Sequence, residues 1–202
     1  MGYFPFFIEL SDREGLIVGG GTVAARKVEK LLPYKPRLTI VAPEIADEIA
    51  RQPCLTLLRE PFSPKLLAGK AFVIAATDDR QLNHGIAALC AEQRIPVNVV
   101  DDPEACTFLF PALVKQGDLS VGISTGGASP SAAVWLKEQI ETALPEEFDR
   151  ILDYLAAVRP EVKAVVPEAQ RSAVFALLVR CCMELERPLE PQELQEILGE
   201  VP

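Results

Sequence analysis

The sequence predicts an α/β protein with a doubly wound parallel sheet, followed by a hairpin and a helical region. Short apolar runs alternate with segments of helical periodicity as far as about residue 105. The run at residues 71–76 is continuously apolar, which is typical of a strand covered on both faces. After about residue 105, two strand-like runs flank a short turn, and the rest of the chain is helical in pattern and punctuated by prolines.

The first part of the chain predicts five strands in the order βαβαβαβαβ. In chain order its elements are a strand at 16–18, a helix at 23–32, a strand at 37–41, a helix at 44–51, strands at 55–58 and 71–76, a helix at 81–93 and a strand at 97–100. The helix after the first strand ends at Pro33, because proline cannot continue a helix. Alternation of this kind indicates parallel strands with right-handed crossovers.

The second part begins with a hairpin over 112–115 and 119–123, whose turn is Gln116-Gly117-Asp118. Ser129-Pro130 opens a helix to about residue 144, because proline is tolerated at the first helical position. The remainder is predicted to be helical, interrupted by Pro160, Pro167, Pro188 and Pro191. We therefore expect three domains, at residues 1–112, 113–144 and 145–202.

The hairpin and the helix after it lie outside the pattern of the sheet, so their apolar residues need a partner. These residues are Val121, Ile123, Val134, Trp135 and Ile140. A second copy of the chain would bury them, and we expect a homodimer with residues 113–144 as its dimerisation segment.

Charge and cysteine usage exclude several classes of protein. Twenty Lys and Arg residues against 29 Asp and Glu leave a net charge of −9, which disfavours binding to nucleic acid or to an anionic membrane. The five cysteines include no CxxC pair, so we expect no disulfide framework and no metal site. No apolar stretch approaches the roughly 20 residues that a bilayer requires, and no secretion signal is recognisable. We expect a cytoplasmic protein.

A glycine-rich turn follows the first strand. The segment Gly19-Gly20-Gly21-Thr22-Val23-Ala24 fits the pattern G-x-G-x-x-A at a strand-to-helix turn. Gly19 would permit the turn, Gly21 would let the backbone approach a pyrophosphate, and Ala24 would let helix and strand pack closely. The alternative is an ordinary glycine-rich turn. Among five strands in this order, the motif indicates a Rossmann-like dinucleotide site.

The acidic residue that holds the ribose in such sites is less clearly defined. The nearest carboxylate after the second strand is Glu44, which follows Ala42-Pro43. Glu44 could equally be the N-terminal charge of the next helix, stabilised by the helix dipole. Because no Arg follows the second strand to receive a 2′-phosphate, NAD is favoured over NADP.

Several segments together resemble one family, the precorrin-2 dehydrogenases of sirohaem synthesis, which include dehydrogenase/ferrochelatase modules. These segments are Phe6-Phe7-Ile8-Glu9-Leu10, the glycine-rich stretch from Leu16 to Lys27, Ala75-Ala76-Thr77-Asp78-Asp79, Asn98-Val99-Val100-Asp101 and Ser124-Thr125-Gly126-Gly127-Ala128-Ser129-Pro130. They occur in family order over residues 4 to about 150, and the resemblance fades after about Pro145. Thr125 departs from the family's usual serine.

The resemblance implies the oxidation of precorrin-2 to sirohydrochlorin with NAD as hydride acceptor. Some members also insert iron. The family's cofactor contacts fall on Gly21, Thr22, Val23, Pro43, Glu44, Thr77 and Asp78, and its important acid falls on Asp101. The competing interpretation is a non-catalytic NAD(H)-binding module that senses redox state, but no effector feature supports it.

Three further positions are candidates. We expect Asp101, at the end of the fifth strand, to face the cleft as a proton acceptor and Asp102 to point elsewhere, because successive strand residues alternate faces. The alternative is that both residues merely start the turn before Pro103. His84 is interpreted as a surface or packing residue. The segment Thr125, Gly126 and Gly127 is either a flexible connector or a receptor for substrate carboxylates, through exposed N–H groups and the following helix N-terminus.

Overall fold

The computed structural model describes residues 3–199 and divides the chain into two compact units. The first unit is residues 6–110, and the second is residues 111–199 together with residues 3–5. The outer ends of the first and last predicted domains, residues 1–2 and 200–202, lie outside the described residues. The separation of a dimerisation segment from the helices that follow it stays a prediction.

The first unit contains a five-stranded parallel sheet in the order β3-β2-β1-β4-β5, which confirms the predicted fold class. Its strands are β1 (Glu14–Val18), β2 (Arg37–Val41), β3 (Leu55–Leu58), β4 (Phe72–Ala75) and β5 (Val97–Val99). In the register of the centre, Leu16 pairs with Thr39 on one side and with Val73 on the other.

Helices cover both faces of the sheet, which explains the continuous apolar strands. The helices are α1 (Thr22–Leu31), α2 (Asp47–Ala50) and α3 (Arg80–Glu92). Ile17 of β1 packs in a cluster with Val28 of α1, whereas its neighbour Leu16 packs in a second cluster with Ile86 of α3. All four side chains are almost completely buried. Successive residues of β1 therefore serve opposite cores.

Two predicted crossovers are wrong in detail. The second helix is a single turn, Asp47–Ala50, instead of residues 44–51, because the backbone at Glu44 passes directly over Gly20 and is not helical. Between β3 and β4 the alternating order implied a helix without assigning it residues, and the chain forms a 3-10 turn at Pro64–Leu67 there. Proline at its start and Gly69 with φ 72° after it leave too few residues for a longer helix.

The second unit begins with an antiparallel hairpin and continues as helices, as predicted. Its elements are β6 (Ala112–Gln116), β7 (Leu119–Ile123), α4 (Pro130–Ala143), α5 (Phe148–Val165), α6 (Glu168–Leu185) and α7 (Pro191–Gly199). Helices α5 to α7 share a buried cluster that includes Ile151, Val162 and Leu178. Across residues 3–199, the structure contains no helix with the length and apolar character needed to span a membrane.

The prolines of the second unit do not all interrupt helices. Pro167 precedes α6 and Pro191 begins α7, but Pro160 lies inside α5. Proline at that position removes one backbone hydrogen bond. The helix nevertheless remains continuous, and Val158 and Val162 on either side of Pro160 are buried.

An ion pair at the start of α7 makes stability depend on pH. Nη1 and Nη2 of Arg187 donate to the Glu193 carboxylate, at 2.9 and 2.8 Å, and the Glu190 N–H donates to it at 2.7 Å. The Arg187 hydrogen bond, followed by that of Glu190, lowers the pKa of Glu193 to about 2. A depressed carboxyl pKa gives stability above the ordinary value that is lost as pH falls towards the depressed one.

We therefore expect the wild-type unfolding midpoint to fall between pH 4.5 and about pH 2 more steeply than that of Glu193→Gln. Urea unfolding across this window measures the difference. Arg187→Gln, which removes the partner, should flatten the curve in the same way. Parallel curves for wild type and Glu193→Gln would contradict this assignment.

Candidate active site

The loops that follow the strands of the first unit meet at one edge of the sheet. Because the strands are parallel, Gly19 after β1, Pro43 after β2, Thr77 after β4 and Asp101 beyond β5 all lie at the carboxyl edge. The strand order reverses between β1 and β4, and ligands of open α/β sheets bind in the crevice at such a point. The first unit thus brings together the predicted cofactor residues and the predicted acid.

Two of the three consecutive glycines are required by close packing of backbone. Gly19 has φ 123°, and a Cβ atom there would lie 2.3 Å from the carbonyl oxygen of Ala76. A Cβ atom on Gly20 would lie 2.1 Å from the carbonyl oxygen of Glu44. The glycine turn therefore touches the loops that follow both β2 and β4.

Gly21 differs from its two neighbours because it faces open space. A Cβ atom on Gly21 would meet no other atom within 4 Å, and its φ of −87° is open to any residue. Gly21 is the N-cap of α1 and offers no side-chain cap. The first N–H groups of a helix have no partner within the helix, and they carry its positive end. This open backbone with N–H donors fits the pyrophosphate of a dinucleotide.

Glu44 lies before the short helix, not in its first turn. The first residue of α2 is Asp47, with Ala46 as N-cap, so the interpretation of Glu44 as a helix N-terminal charge is wrong. The Ala46 N–H donates to the Gly20 carbonyl at 2.8 Å, which ties this loop to the glycine turn. Pro43 and Glu44 are both exposed beside that turn. This position suits a carboxylate that accepts hydrogen bonds from a ribose.

A buried asparagine, which the sequence reasoning missed, holds Thr77. The Thr77 hydroxyl donates to Asn83 Oδ1 at 2.7 Å, and Asn83 Nδ2 donates to the Thr77 carbonyl at 2.9 Å. Asn83 is 3% exposed. Its helical spacing to Ile86 and Cys90 could have revealed it, because a polar residue on the buried face of a helix needs hydrogen-bond partners. Asp78, beside Thr77, is exposed.

The two adjacent aspartates both lie in a turn, because β5 ends at Val99. The expectation that strand alternation separates them is therefore wrong. Asp101 is exposed, with φ 60°, whereas Asp102 uses its carboxylate within the protein. Asp102 Oδ1 accepts the Ala105 N–H at 3.2 Å, and Oδ2 lies 2.7 Å from His84 Nε2. Both aspartates line one cavity of about 210 Å³ with Arg80 and His84.

His84 is an exposed surface residue, as interpreted, but it also has a specific partner. Its side chain is 63% exposed, whereas that of Asp102 is 26% exposed. The two residues belong to different elements, α3 and the turn after β5, and no local sequence pattern links them. The pair is a feature that only the fold could reveal.

The Cys106 thiol supports the turn that carries Asp101. Its sulfur accepts the Val99 N–H at 3.1 Å and lies 3.2 Å from the carbonyl oxygens of Val99 and Asp102, to which it can donate. Burial, the largest effect, raises the pKa of this thiol, so it keeps its proton. Cys106 thus acts as a hydrogen-bonding residue of the turn.

Lys27 of α1 contributes positive charge to the same unit. Its ammonium lies 3.9 Å from the centre of the Phe110 ring, in a cation–π contact. Burial and then the charge of Lys30 lower the pKa of Lys27, while Cys106 and Asp101 act in the opposite direction. Lys27 is a partly buried cation whose pKa the charge of Asp101 raises.

The candidate substrate segment belongs to the second unit and is largely paired within itself. Gly126 and Gly127 have φ values of 62° and 88°. The Gly126 N–H donates to Ser124 Oγ at 3.2 Å, and the Ser129 N–H donates to Thr125 Oγ1 at 3.1 Å. The expectation of exposed N–H groups therefore does not hold for Gly126, because its N–H already donates to the Ser124 hydroxyl oxygen. The hydrogen bonds give the segment a defined shape instead of that of a flexible connector.

Family comparisons match both parts of the chain. Residues 6–112 match the family described as "Putative NAD(P)-binding", and residues 116–143 match the central segment of sirohaem biosynthesis proteins.

Over residues 3–199, no group of three or more His, Cys, Asp and Glu side chains could hold a metal ion.

Curated relatives and a solved structure agree with the two family matches. A siroheme synthase of Thioalkalivibrio sulfidiphilus is 39% identical over 173 residues, which are 84% of this chain and 35% of that protein. One from Nitrosospira multiformis is 35% identical over the whole chain and 47% of its own length. This chain thus spans about a third to a half of these relatives. The structure of SirC, a precorrin-2 dehydrogenase, superposes with a TM-score of 0.72 at 24% identity and 98% coverage of both chains, which confirms the fold.

We predict that Gly21→Asp abolishes NAD binding while the protein stays folded. The new side chain enters open space, so the fold tolerates it, but its carboxylate stands where the pyrophosphate would lie. Repulsion between the new carboxylate and the pyrophosphate predicts a loss of NAD affinity of at least about 100-fold, measurable by calorimetry.

Gly85→Asp is the matched control, because a Cβ atom on Gly85 of α3 also meets nothing within 4 Å. It should bind NAD as the wild type does. Unchanged NAD affinity in a folded Gly21→Asp protein would show that the cofactor site lies elsewhere.

Proposed function

This chain belongs to the family described as "Putative NAD(P)-binding" and also matches the central segment of sirohaem biosynthesis proteins, and we propose that it oxidises precorrin-2 to sirohydrochlorin with NAD as hydride acceptor. One observation carries the proposal. The open backbone at Gly21 and the exposed carboxylate of Asp101 lie at the same carboxyl edge of one parallel sheet. A dinucleotide site and a proton acceptor are the two functions that a dehydrogenase of this kind requires.

The residues around the glycine turn would hold the cofactor. Gly19 shapes the turn, and the N–H groups of Gly21, Thr22 and Val23 at the N-terminus of α1 would bind the pyrophosphate. Pro43 and Glu44 would contact the ribose, where the Glu44 carboxylate would accept hydrogen bonds from hydroxyls and repel a 2′-phosphate. Thr77 and Asp78 would contact the cofactor from the loop after β4. This arrangement favours NAD over NADP.

The reaction removes one hydride and one proton from the reduced macrocycle. NAD, when bound, accepts the hydride. Asp101 accepts the proton, because its exposed carboxylate lies at the sheet edge where the substrate would meet the cofactor. Its neighbour Asp102 is already engaged by Ala105 and His84, whereas the Asp101 side chain is exposed at the carboxyl edge of the sheet.

Residues of the second unit would bind the substrate carboxylates. Helix α4 begins at Pro130, directly after the segment Thr125, Gly126 and Gly127. The positive end of a helix attracts anions, and the hydrogen bonds of Thr125 with Ser129 hold the segment against that end. The family's substrate, a polycarboxylate, suits such a site.

We further propose that the chain acts as a homodimer through α4. Val134, Trp135 and Leu136 are 49%, 58% and 41% exposed, which leaves an apolar surface on this helix. Val121 and Ile123 are already half-buried, so the partner would cover the helix more than the hairpin.

All five cysteines are unpaired, as a reducing cytoplasm would keep them, and we propose that the reaction takes place there.

We predict that Asp101→Asn retains NAD affinity and fold but lowers turnover by about 100-fold or more, the usual scale for a lost general base. The amide occupies the same space but cannot accept the proton. NADH absorbance together with the sirohydrochlorin spectrum measures turnover. Glu104→Gln, an exposed acid in the same turn, is the control and should remain active. Full turnover in Asp101→Asn would refute its assignment as the base.

We predict that Trp135→Arg dissociates the dimer. A cation at the centre of an apolar contact must be desolvated on association, which shifts the equilibrium to monomers. Analytical ultracentrifugation at micromolar concentration distinguishes the two masses. Gln139→Arg, at an exposed polar position of the same helix, should leave the dimer intact. A wild-type protein that sediments as a monomer would contradict the proposal.

A further inference from the structure

We propose that Asp102 and His84 form a proton-relay pair, which takes the proton that Asp101 has accepted and releases it to solvent. The inference rests on the proposed function and extends it to residues outside the family pattern. In this role Asp101 is the group at the substrate, His84 is the carrier, and Asp102 is a positioning residue for His84.

The contacts of Asp102 determine which imidazole nitrogen carries the proton. Asp102 Oδ1 accepts the Ala105 N–H at 3.2 Å, and Oδ2 lies 2.7 Å from His84 Nε2. A carboxylate placed in this way accepts hydrogen bonds, so Nε2 is the protonated nitrogen of the neutral ring. Nδ1 is then left with a lone pair that can accept a proton.

The cavity connects the carrier to the base. Asp101, Asp102, His84 and Arg80 line a single space of about 210 Å³. A water molecule occupies about 30 Å³ in the liquid, so the space has room for several. Its lining of carboxylates, imidazole and guanidinium offers such waters their hydrogen-bond partners. A proton can therefore pass from the Asp101 carboxyl group to His84 Nδ1 through water.

Exposure of the side chains gives the relay its direction. The Asp102 side chain is 26% exposed and that of His84 is 63% exposed. Asp102 can thus stabilise the imidazolium that forms, while the ring itself reaches solvent. A proton on the His84 ring can therefore leave directly to solvent.

The steps balance without a further reactant. The substrate C–H bond releases its proton to an Asp101 oxygen, and the Asp101 O–H proton then passes through water to His84 Nδ1. The imidazolium returns the proton to solvent or buffer, and Asp101 is again a carboxylate. No electrons move in the relay, because the hydride leaves in the preceding oxidation.

A purely structural role of His84 would not require its imidazole to accept a proton. His84 could serve merely to tie α3 to the turn after β5. Glutamine distinguishes the two roles, because its amide nitrogen can donate to Asp102 as Nε2 does but the side chain cannot accept a proton. A structural tie survives in His84→Gln, whereas a relay does not.

The test measures turnover of precorrin-2 in His84→Gln and His84→Ala, with Glu104→Gln as control. We expect kcat to fall by about 100-fold in both His84 variants, at the lower end of general acid–base effects, with the KM for NAD unchanged. Added imidazole buffer should restore much of the lost rate, because it replaces the missing carrier. Wild-type turnover in His84→Gln, or no rescue by imidazole, would overturn the relay.

A second measurement needs no substrate. His84 is the single histidine of the chain, so its imidazole signals in ¹⁵N-labelled protein require no further assignment. We expect Asp102→Asn to shift the Nε2 signal and Glu104→Gln to leave it in place. An unchanged signal in Asp102→Asn would refute the pair itself. A wild-type protein that shows the pair but does not oxidise precorrin-2 would instead refute the proposed function, and the relay with it.

Discussion

The close approach of three backbone segments at the glycine turn is the constraint on which the site depends. Gly19 lies against the backbone of Ala76, and Gly20 lies against that of Glu44, at distances that leave no room for a side chain. The loops after β1, β2 and β4 are therefore held together by contact before any ligand binds. Gly21 is the next residue, and it alone of the three glycines faces open space. Two glycines are needed to build the site and the third to leave it open.

The parallel, doubly wound sheet was predictable because it depends on strong, local signals. The continuous apolar run of β4 and the glycine turn after β1 together indicated a parallel sheet covered on both faces. The length of α2 was not predictable, because the packing of Glu44 over Gly20 overrides the helical pattern of that segment. The pairing of His84 with Asp102 was equally hidden, since it joins residues from two elements that only the folded sheet brings together.

The turn after β5 divides two roles between adjacent, chemically identical residues. Asp102 is committed to the fold, because one oxygen caps the Pro103–Ala105 turn and the other contacts His84. The Cys106 sulfur stabilises the same turn by accepting the Val99 N–H. Asp101 adopts φ 60° in this hydrogen-bonded turn, with its side chain exposed. A turn held by hydrogen bonds beneath an exposed carboxylate suits a positioned proton acceptor, and composition alone could not have assigned the two roles.

The net charge of −9 shapes how such a protein can bind anions. Both proposed ligands are anionic, so the long-range field of the protein opposes them. Exposed charges are largely screened beyond about 8 Å at physiological ionic strength, which leaves recognition to short-range donors. Backbone N–H groups at the start of α1, and at the start of α4 in the second unit, attract anions through fixed dipoles and add no charge of their own. Under the proposed function, the N-termini of α1 and α4 would be the means by which an acidic chain attracts a pyrophosphate and carboxylates.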